Sequence, residues 1–399
     1  VLLCVGFLSS CSHKNPNEEL FVKAARELPM AREQAQKAGL VLRSLTALPP
    51  LPGPDGAAAH YATALAYCAQ GSRSPYAPTE PGAKWADEGL VKVRKSARIY
   101  DEIEAACAQK DCDFRVSGGE EVDSSTLELL VRLLCLRAIT RAHQGEYASA
   151  GADIGRIATI TRHIMGRASE VDLTSAGDFV AAASRACQII LSNERGNAAC
   201  AAALQSGMAG FPDRLEVGKT VAWQATQLYG LFAAEDPKSL FAGRRGPYAT
   251  PTYDQFRSVV AGIDPAVACG AAEARLLQFF TAIYLAACNP KLTDLQREDA
   301  VNAIWDAEEM ADSTHVFNQL MADPRYLSDQ LRYDASLLVT RLGLRYMANP
   351  AGGTLFLAGK RDPFSDEALA VTHKGSRFEV ASTGPSEGKW ISFTYPLEG

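Results

Sequence analysis

The chain has 399 residues, 47% hydrophobic and 22% charged, with a formal net charge of −6. Such a length and balance are ordinary for a soluble globular protein and allow a substantial buried core. The mildly acidic charge, with no basic stripe, argues against nucleic acid as a partner.

In chain order, Val1 to Leu8 is a short apolar run, followed by Ser9, Ser10, Cys11 and the polar Ser12, His13, Lys14 and Asn15. It is too short to span a bilayer and has the form of the apolar core and processing site of an export signal. No methionine or basic segment precedes it, so the sequence is expected to begin inside that signal. Leu8-Ser9-Ser10-Cys11 resembles the lipobox of bacterial lipoproteins. The resemblance implies that Cys11 is lipidated and becomes the first mature residue. Each buried CH₂ contributes roughly 0.8 kcal/mol, so at least two acyl chains are needed for stable attachment. Ser12 rather than Asp after the cysteine implies, by the same analogy, the outer membrane facing the periplasm. No later segment carries the ~18 uninterrupted apolar residues of a membrane helix.

The body reads as helices. A charged helix is expected over 17–38 with a break at Pro29, then an extended proline segment, Leu48 to Pro54, that sets a spacing. An alanine-rich helix follows over 55–69. One long helix is expected over 83–109, because Leu90, Val93, Ala97, Tyr100, Ile103 and Cys107 recur three and four apart. The acidic loop after it has Arg115 where a calcium loop needs an oxygen ligand, so it reads as solvated. Ser125-Thr126-Leu127-Glu128 has the form of a capping box opening a helix over 125–144. Leu127, Leu130, Leu133, Leu134 and Ile139 cover most of that helix's circumference, which predicts a central position. Ala138, Gly145, Tyr147, Ala150 and Ile154 resemble one tetratricopeptide-type helical hairpin, with no second copy at the repeat interval. Further helices are expected over 148–166, 169–192, 197–206, 212–235, 264–288, 292–311 and 323–348. Asp264-Pro265 and Asp323-Pro324 are N-cap and first-turn pairs.

Chemistry is harder to find. Of ten cysteines, removing Cys4 and Cys11 leaves eight. In an exported protein these permit disulfides, with Cys107/Cys112 the local candidate pair and Cys187/Cys200 and Cys269/Cys288 further candidates. The alternative is that several, Cys135 and Cys187 above all, are small buried hydrophobes. The six histidines are scattered, with no pair three or four apart, so no metal site is expected. Gly384-Pro385-Ser386-Glu387-Gly388 matches a nucleophile elbow in letters only, since no histidine follows it. Arg244, Arg245 and Tyr248, between and beside glycines, are candidate anion-binding residues, because guanidinium forks fit carboxylate or phosphate. No cofactor motif occurs.

The texture changes after Asn349. Strands are expected over 368–372, 377–382 and 389–395, with a hairpin turn at His373-Lys374-Gly375-Ser376. Asp362-Pro363-Phe364, the hairpin and the Ser382-Thr383-Gly384 turn resemble a group of bacterial envelope proteins. The tail is also similar to the C-terminal module of type II secretion pseudopilins. Pro385-Ser386-Glu387 stands where that module carries its calcium-binding acid, so no metal is carried over.

The expected fold is mainly α, an irregular bundle or array of antiparallel helices with a small C-terminal β-hairpin element. Its expected segments are 1–11 (signal), 12–348 (helical domain) and 349–399 (tail). The expected function is that of a non-catalytic, lipid-anchored envelope protein that binds a protein partner; enzymatic activity is left open. The alternative is a periplasmic ligand-binding or hydrolytic protein using a cleft between helices, which a deep polar pocket with converging charges favours.

Overall fold

The structure is a computed structural model that describes residues 15–40, 56–70, 84–114, 122–167, 170–232, 258–311, 326–350, 359–374, 377–383 and 391–396. Among them are thirteen helices and one sheet. The helices are α1 (Glu18–Arg26), α2 (Leu28–Ala38), α3 (Ala57–Gln70), α4 (Lys84–Lys95), α5 (Ala97–Cys107), α6 (Ser124–His143) and α7 (Tyr147–Arg167). They continue as α8 (Glu170–Asn193), α9 (Ala198–Met208), α10 (Val217–Phe232), α11 (Pro265–Ala287), α12 (Asp294–Ala311) and α13 (Tyr326–Ala348). The sheet holds β1 (Ala370–Lys374), β2 (Arg377–Ser382) and β3 (Ile391–Tyr395), antiparallel in that order. The fold is therefore mainly α with a small C-terminal β element.

The chain forms two compact units. The first takes described residues within Val1–Ala47, Val221–Ala286 and Val301–Asp323; the second takes those within Leu48–Thr220, Ala287–Ala300 and Pro324–Gly399. The C-terminal sheet belongs to the second.

In the first unit, the break expected near Pro29 falls at Glu27, and Pro29 lies in the first turn of α2, where its missing N–H costs nothing. Gly270 of α11 faces Ala25 and Leu28 where α11 meets the α1–α2 corner. Arg32 donates to Glu273 at 2.6 Å and Gln278 to Glu27 at 2.9 Å, which gives two polar side chains of a mostly apolar helix their partners. By length and composition α11 is able to cross a membrane, but 67% of its most apolar window is buried inside the structure. That burial fits a core helix. Asp264 caps it as the sequence suggests, accepting from Ala266 N at 2.8 Å and Val267 N at 3.2 Å.

In the second unit α6 is central, in contact with α3, α4, α7 and α8. Its N-cap is Asp123, whose carboxylate accepts from Ser125 N at 3.0 Å; the expected box at Ser125 gives way because Glu128 pairs instead with Arg132 one turn on. Gly145, at φ +77°, ends it: Gly145 N donates to Ala142 O at 2.8 Å and Glu146 N to Arg141 O at 2.9 Å, a Schellman closure. The single helix expected over 83–109 is two, parted at Ser96, whose φ −97° and ψ 12° leave the helical region. The closest helix crossing joins α7 and α9 rather than α6 and α7. There a Cβ on Gly151 meets the Ala203 carbonyl, and one on Gly207 meets the Gly151 carbonyl.

One carboxyl group in this unit is fully buried and another is partly buried, on different terms. Asp153 of α7 is fully buried, and its oxygens accept from Arg137 at 2.6 Å, Arg141 at 2.9 Å and Arg156 at 2.8 Å. Arg137, itself 4% exposed, also donates to Glu104 of α5 at 2.9 Å and lies 4.1 Å over the Tyr100 ring. Burial opposes charge on Asp153, and three guanidiniums act against it. Asp334 of α13 has far less support. Gln330 donates to one oxygen at 3.3 Å, and the other has no hydrogen-bond partner. Burial, then the like charge of Asp294, raises its pKa to about 7.

Two outcomes follow for stability. Replacing Asp153 by Ala leaves Arg137 buried without its main partner, which costs about 3–5 kcal/mol. The melting temperature is expected to fall on the order of 10 °C in a calorimetric scan, with part recovered when Arg137→Met is added. For Asp334 the unfolded chain loses the proton near pH 4 and the folded one holds it to about 7. The native state binds more protons in that window, so wild-type stability falls as pH rises through it. Asp334→Asn removes this loss: scans at pH 4 and 8 are expected to agree within ~1 kcal/mol at the lower pH and to favour the variant by roughly 2–4 kcal/mol at the higher.

Candidate functional site

The second unit contains a polar cleft of about 520 Å³ between α8, α13 and the β2–β3 ribbon. Three features of the sequence create it. On α8, Gly177, Ala181, Ser184, Arg185 and Gln188 recur three and four apart, so one face carries small residues above polar ones. On α13, Arg332 and Ser336 stand one turn apart. On the sheet, alternation turns Arg377 and Glu379 of β2 and Ser392 and Thr394 of β3 to one side, because Glu379 pairs with Thr394 in register.

The opposite face of the sheet is apolar and fixes its position. Phe378 stacks on Tyr346 of α13 at 4.1 Å, and the Phe393 ring occupies the space a side chain at Gly343 would need. Gly343 is therefore a notch: any Cβ there collides with the ring. The outer edge of β3 is held by a side chain. The Gln188 amide accepts from Thr394 N at 3.1 Å and donates to Ser392 O at 3.4 Å, as a neighbouring strand's peptide group would.

The cleft floor is buried yet polar. Ser184 is 6% exposed, Gln188 6%, Ser336 8% and Thr394 9%. Ser184 accepts from Thr340 at 2.6 Å, which ties the floor of α8 to α13. The walls carry three guanidiniums, Arg185, Arg332 and Arg377, each from a different element. Glu379 is the one carboxylate among the lining residues and lies 3.5 Å from Arg377. Arg332 meets Asp329 at 3.7 Å and Asp178 at 4.0 Å, just outside the lining. No histidine or cysteine is among the residues that line the cleft.

Asp362 anchors the tail that supplies the sheet. Its carboxylate accepts from Ser382 Oγ at 2.6 Å, Thr383 N at 2.6 Å, Thr383 Oγ1 at 2.7 Å and Phe364 N at 3.0 Å. Burial raises its pKa, but these four donors outweigh burial and bring it below the usual value. The structure thus joins the Asp362-Pro363-Phe364 and Ser382-Thr383 motifs into one turn lock.

The residues singled out from sequence fare differently. Cys11, Arg244, Arg245, Tyr248 and the Gly384–Gly388 pattern lie outside the described residues. The disulfide expectation is corrected at all six cysteines: Cys107 is not bridged to Cys112, Cys187 is not bridged to Cys200, and Cys269 is not bridged to Cys288. The Cys107 sulfur instead lies 3.9 Å from the Tyr61 hydroxyl and 3.7 Å from Arg156 O. Cys187 and Cys200 are packed as buried hydrophobes on α8 and α9.

The expected pairing of Cys288 with Cys269 fails on length. Cys269 is buried near the start of α11, whereas Cys288 is exposed just past its end. A rise of about 1.5 Å per residue sets the two on the order of 28 Å apart, against the roughly 7 Å between Cα atoms that a disulfide spans.

Burial pushes Cys107 up to about 11 and Cys135 up to about 12, so both stay protonated and poorly nucleophilic. His163 is a satisfied core histidine, between the Tyr61 hydroxyl at 2.8 Å and Gln109 O at 3.1 Å. No group of three or more metal-ligating side chains occurs among the described residues.

Sequence reasoning did not single out Arg185, Arg332 or Arg377. The available signal was Ser184 and Gln188, polar residues one turn apart within an apolar helix. No protein-family model, no curated protein and no solved structure matches this chain.

Proposed function

We propose that this chain is a ligand-binding protein whose cleft between α8, α13 and the sheet takes a small polar solute without transforming it. This is the ligand-binding form of the alternative reached from the sequence. One observation carries it: a cleft of about 520 Å³ whose floor consists of buried hydroxyl and amide groups below an opening rimmed by guanidiniums. Sites of that size and pattern, concave with a few placed polar groups, are where proteins hold small molecules. Among the described residues the exposed large apolar side chains Leu20, Met30, Val91, Leu285 and Val371 fall on five elements, which gives a protein-docking face less support there.

The test is a thermal-shift screen of the full chain against sugars, polyols, organic acids and phosphates. A solute at a hundred times its Kd stabilises by about 2.7 kcal/mol, a shift of several degrees. Ala181→Trp, which fills the cleft from its lip, is expected to abolish that shift without lowering the melting temperature of the free protein. A shift that survives in Ala181→Trp, or no shift with any solute, defeats the proposal.

We further propose that the chain works at the bacterial cell envelope, tethered through lipid on Cys11. The Leu8-Ser9-Ser10-Cys11 pattern supports this. Intact-mass analysis of protein from a bacterial host is expected to show an acylated amino terminus at Cys11, lost in Cys11→Ala; an unprocessed, unmodified terminus refutes it.

A further inference from the structure

We propose that the solute held in the cleft carries a single acidic group, carboxylate or phosphate, on a neutral hydroxylated body; this rests on the ligand-binding reading above. Three guanidiniums from α8, α13 and β2 converge on one cavity whose lining holds a single carboxylate. Planar guanidinium forks match the paired oxygens of carboxylate and phosphate.

At Arg332 the local acids stand farther off than acids do at other arginines of the same unit. Arg137 meets Asp153 at 2.6 Å, and Arg341 meets Asp213 at 2.6 Å. Arg332, by contrast, stands 3.7 Å from Asp329 and 4.0 Å from Asp178, beyond the roughly 2.7–2.9 Å of a charge-assisted hydrogen bond. Asp329 is also engaged by the Thr174 hydroxyl at 2.6 Å. The Arg332–Asp178 pair is half-exposed at both ends and contributes under about 1 kcal/mol, so an arriving anion displaces it at little cost.

Glu379 limits the charge of the ligand. It lies on the sheet wall beside Arg377 and 3.5 Å from the Thr394 hydroxyl, where a second anionic group meets repulsion. The buried hydroxyls of Ser336 and Thr394 suit the remainder, a neutral body with hydroxyl groups.

A matched series of probes decides the matter: glycerol 3-phosphate, glycerate and glycerol, titrated calorimetrically into the full chain. At least one of the two acids is expected to bind, glycerol not, with affinity falling as sodium chloride is raised. In Arg332→Gln/Arg377→Gln the affinity is expected to drop at least tenfold with the melting temperature unchanged. Arg377→Lys, which keeps the charge and loses the fork, falls between, and Arg98→Gln on α5 leaves affinity as it was. Binding by glycerate alone assigns a carboxylate, and by glycerol 3-phosphate alone a phosphate. If glycerol binds as well as the acids, the requirement for an acidic group is overturned while the ligand-binding reading stands. If the double variant binds the acid like wild type, the guanidiniums are not its site and the inference fails. Absence of binding by all three probes also overturns it.

Discussion

Asp153 has no contact with water, and neither in practice has Arg137. Stripping one such charge of its hydration costs several kcal/mol, so each is tolerable only with the other in place. Glu104, Arg137, Arg141, Asp153 and Arg156 come from three consecutive described helices, α5, α6 and α7, and meet where Arg137 and Asp153 are buried. This requirement sets how α6 lies against α7. The apolar girth of α6 then has α8 as its remaining large neighbour, and α8 forms one wall of the cleft. The buried ion cluster and the cleft wall are linked through one helix.

The other wall is set by shape. The α7–α9 crossing has no room between backbones at Gly151 and Gly207, and α13 packs against both α8 and α9. The notch at Gly343 then seats Phe393, and with it the whole ribbon. Steric exclusion at three glycines thus does for α9, α13 and β3 what ion pairing does for α5, α6 and α7. The Ser184–Thr340 hydrogen bond ties the two fixed helices together at the cleft floor.

The helical class, the central place of α6 and the antiparallel ribbon were legible in the sequence, because each is written in a short-range pattern. Leucines around most of the circumference of 127–139 leave only a narrow wet strip at Glu128 and Arg132, and Lys374 pairs with Arg377 across two residues as the expected hairpin turn requires. Local competition decided the misses. Asp123 outbids Ser125 as a cap because its carboxylate reaches Ser125 N, and the helix over 83–109 parts at Ser96 despite continuous apolar spacing. The cleft was not legible at all. Arg185, Arg332 and Arg377 are distant in the chain, and only the docking of Phe393 on Gly343 brings them to one cavity. Cys107 and Cys112, close in sequence, suggested a bridge, whereas the Tyr61 hydroxyl and a carbonyl are the partners the Cys107 sulfur meets. Cys269 and Cys288 erred the other way: a moderate separation in sequence became the full length of α11 once that segment was helical.

Gln188 has one more effect. By satisfying Ser392 O and Thr394 N it closes the outer margin of β3, so that flank of the ribbon offers no template to an incoming extended chain. Among the described strands only β1 keeps an unpaired flank, and it is short and bears His373 and Lys374. Growth of the sheet, whether by a bound peptide or by unwanted self-association, is therefore confined to one direction.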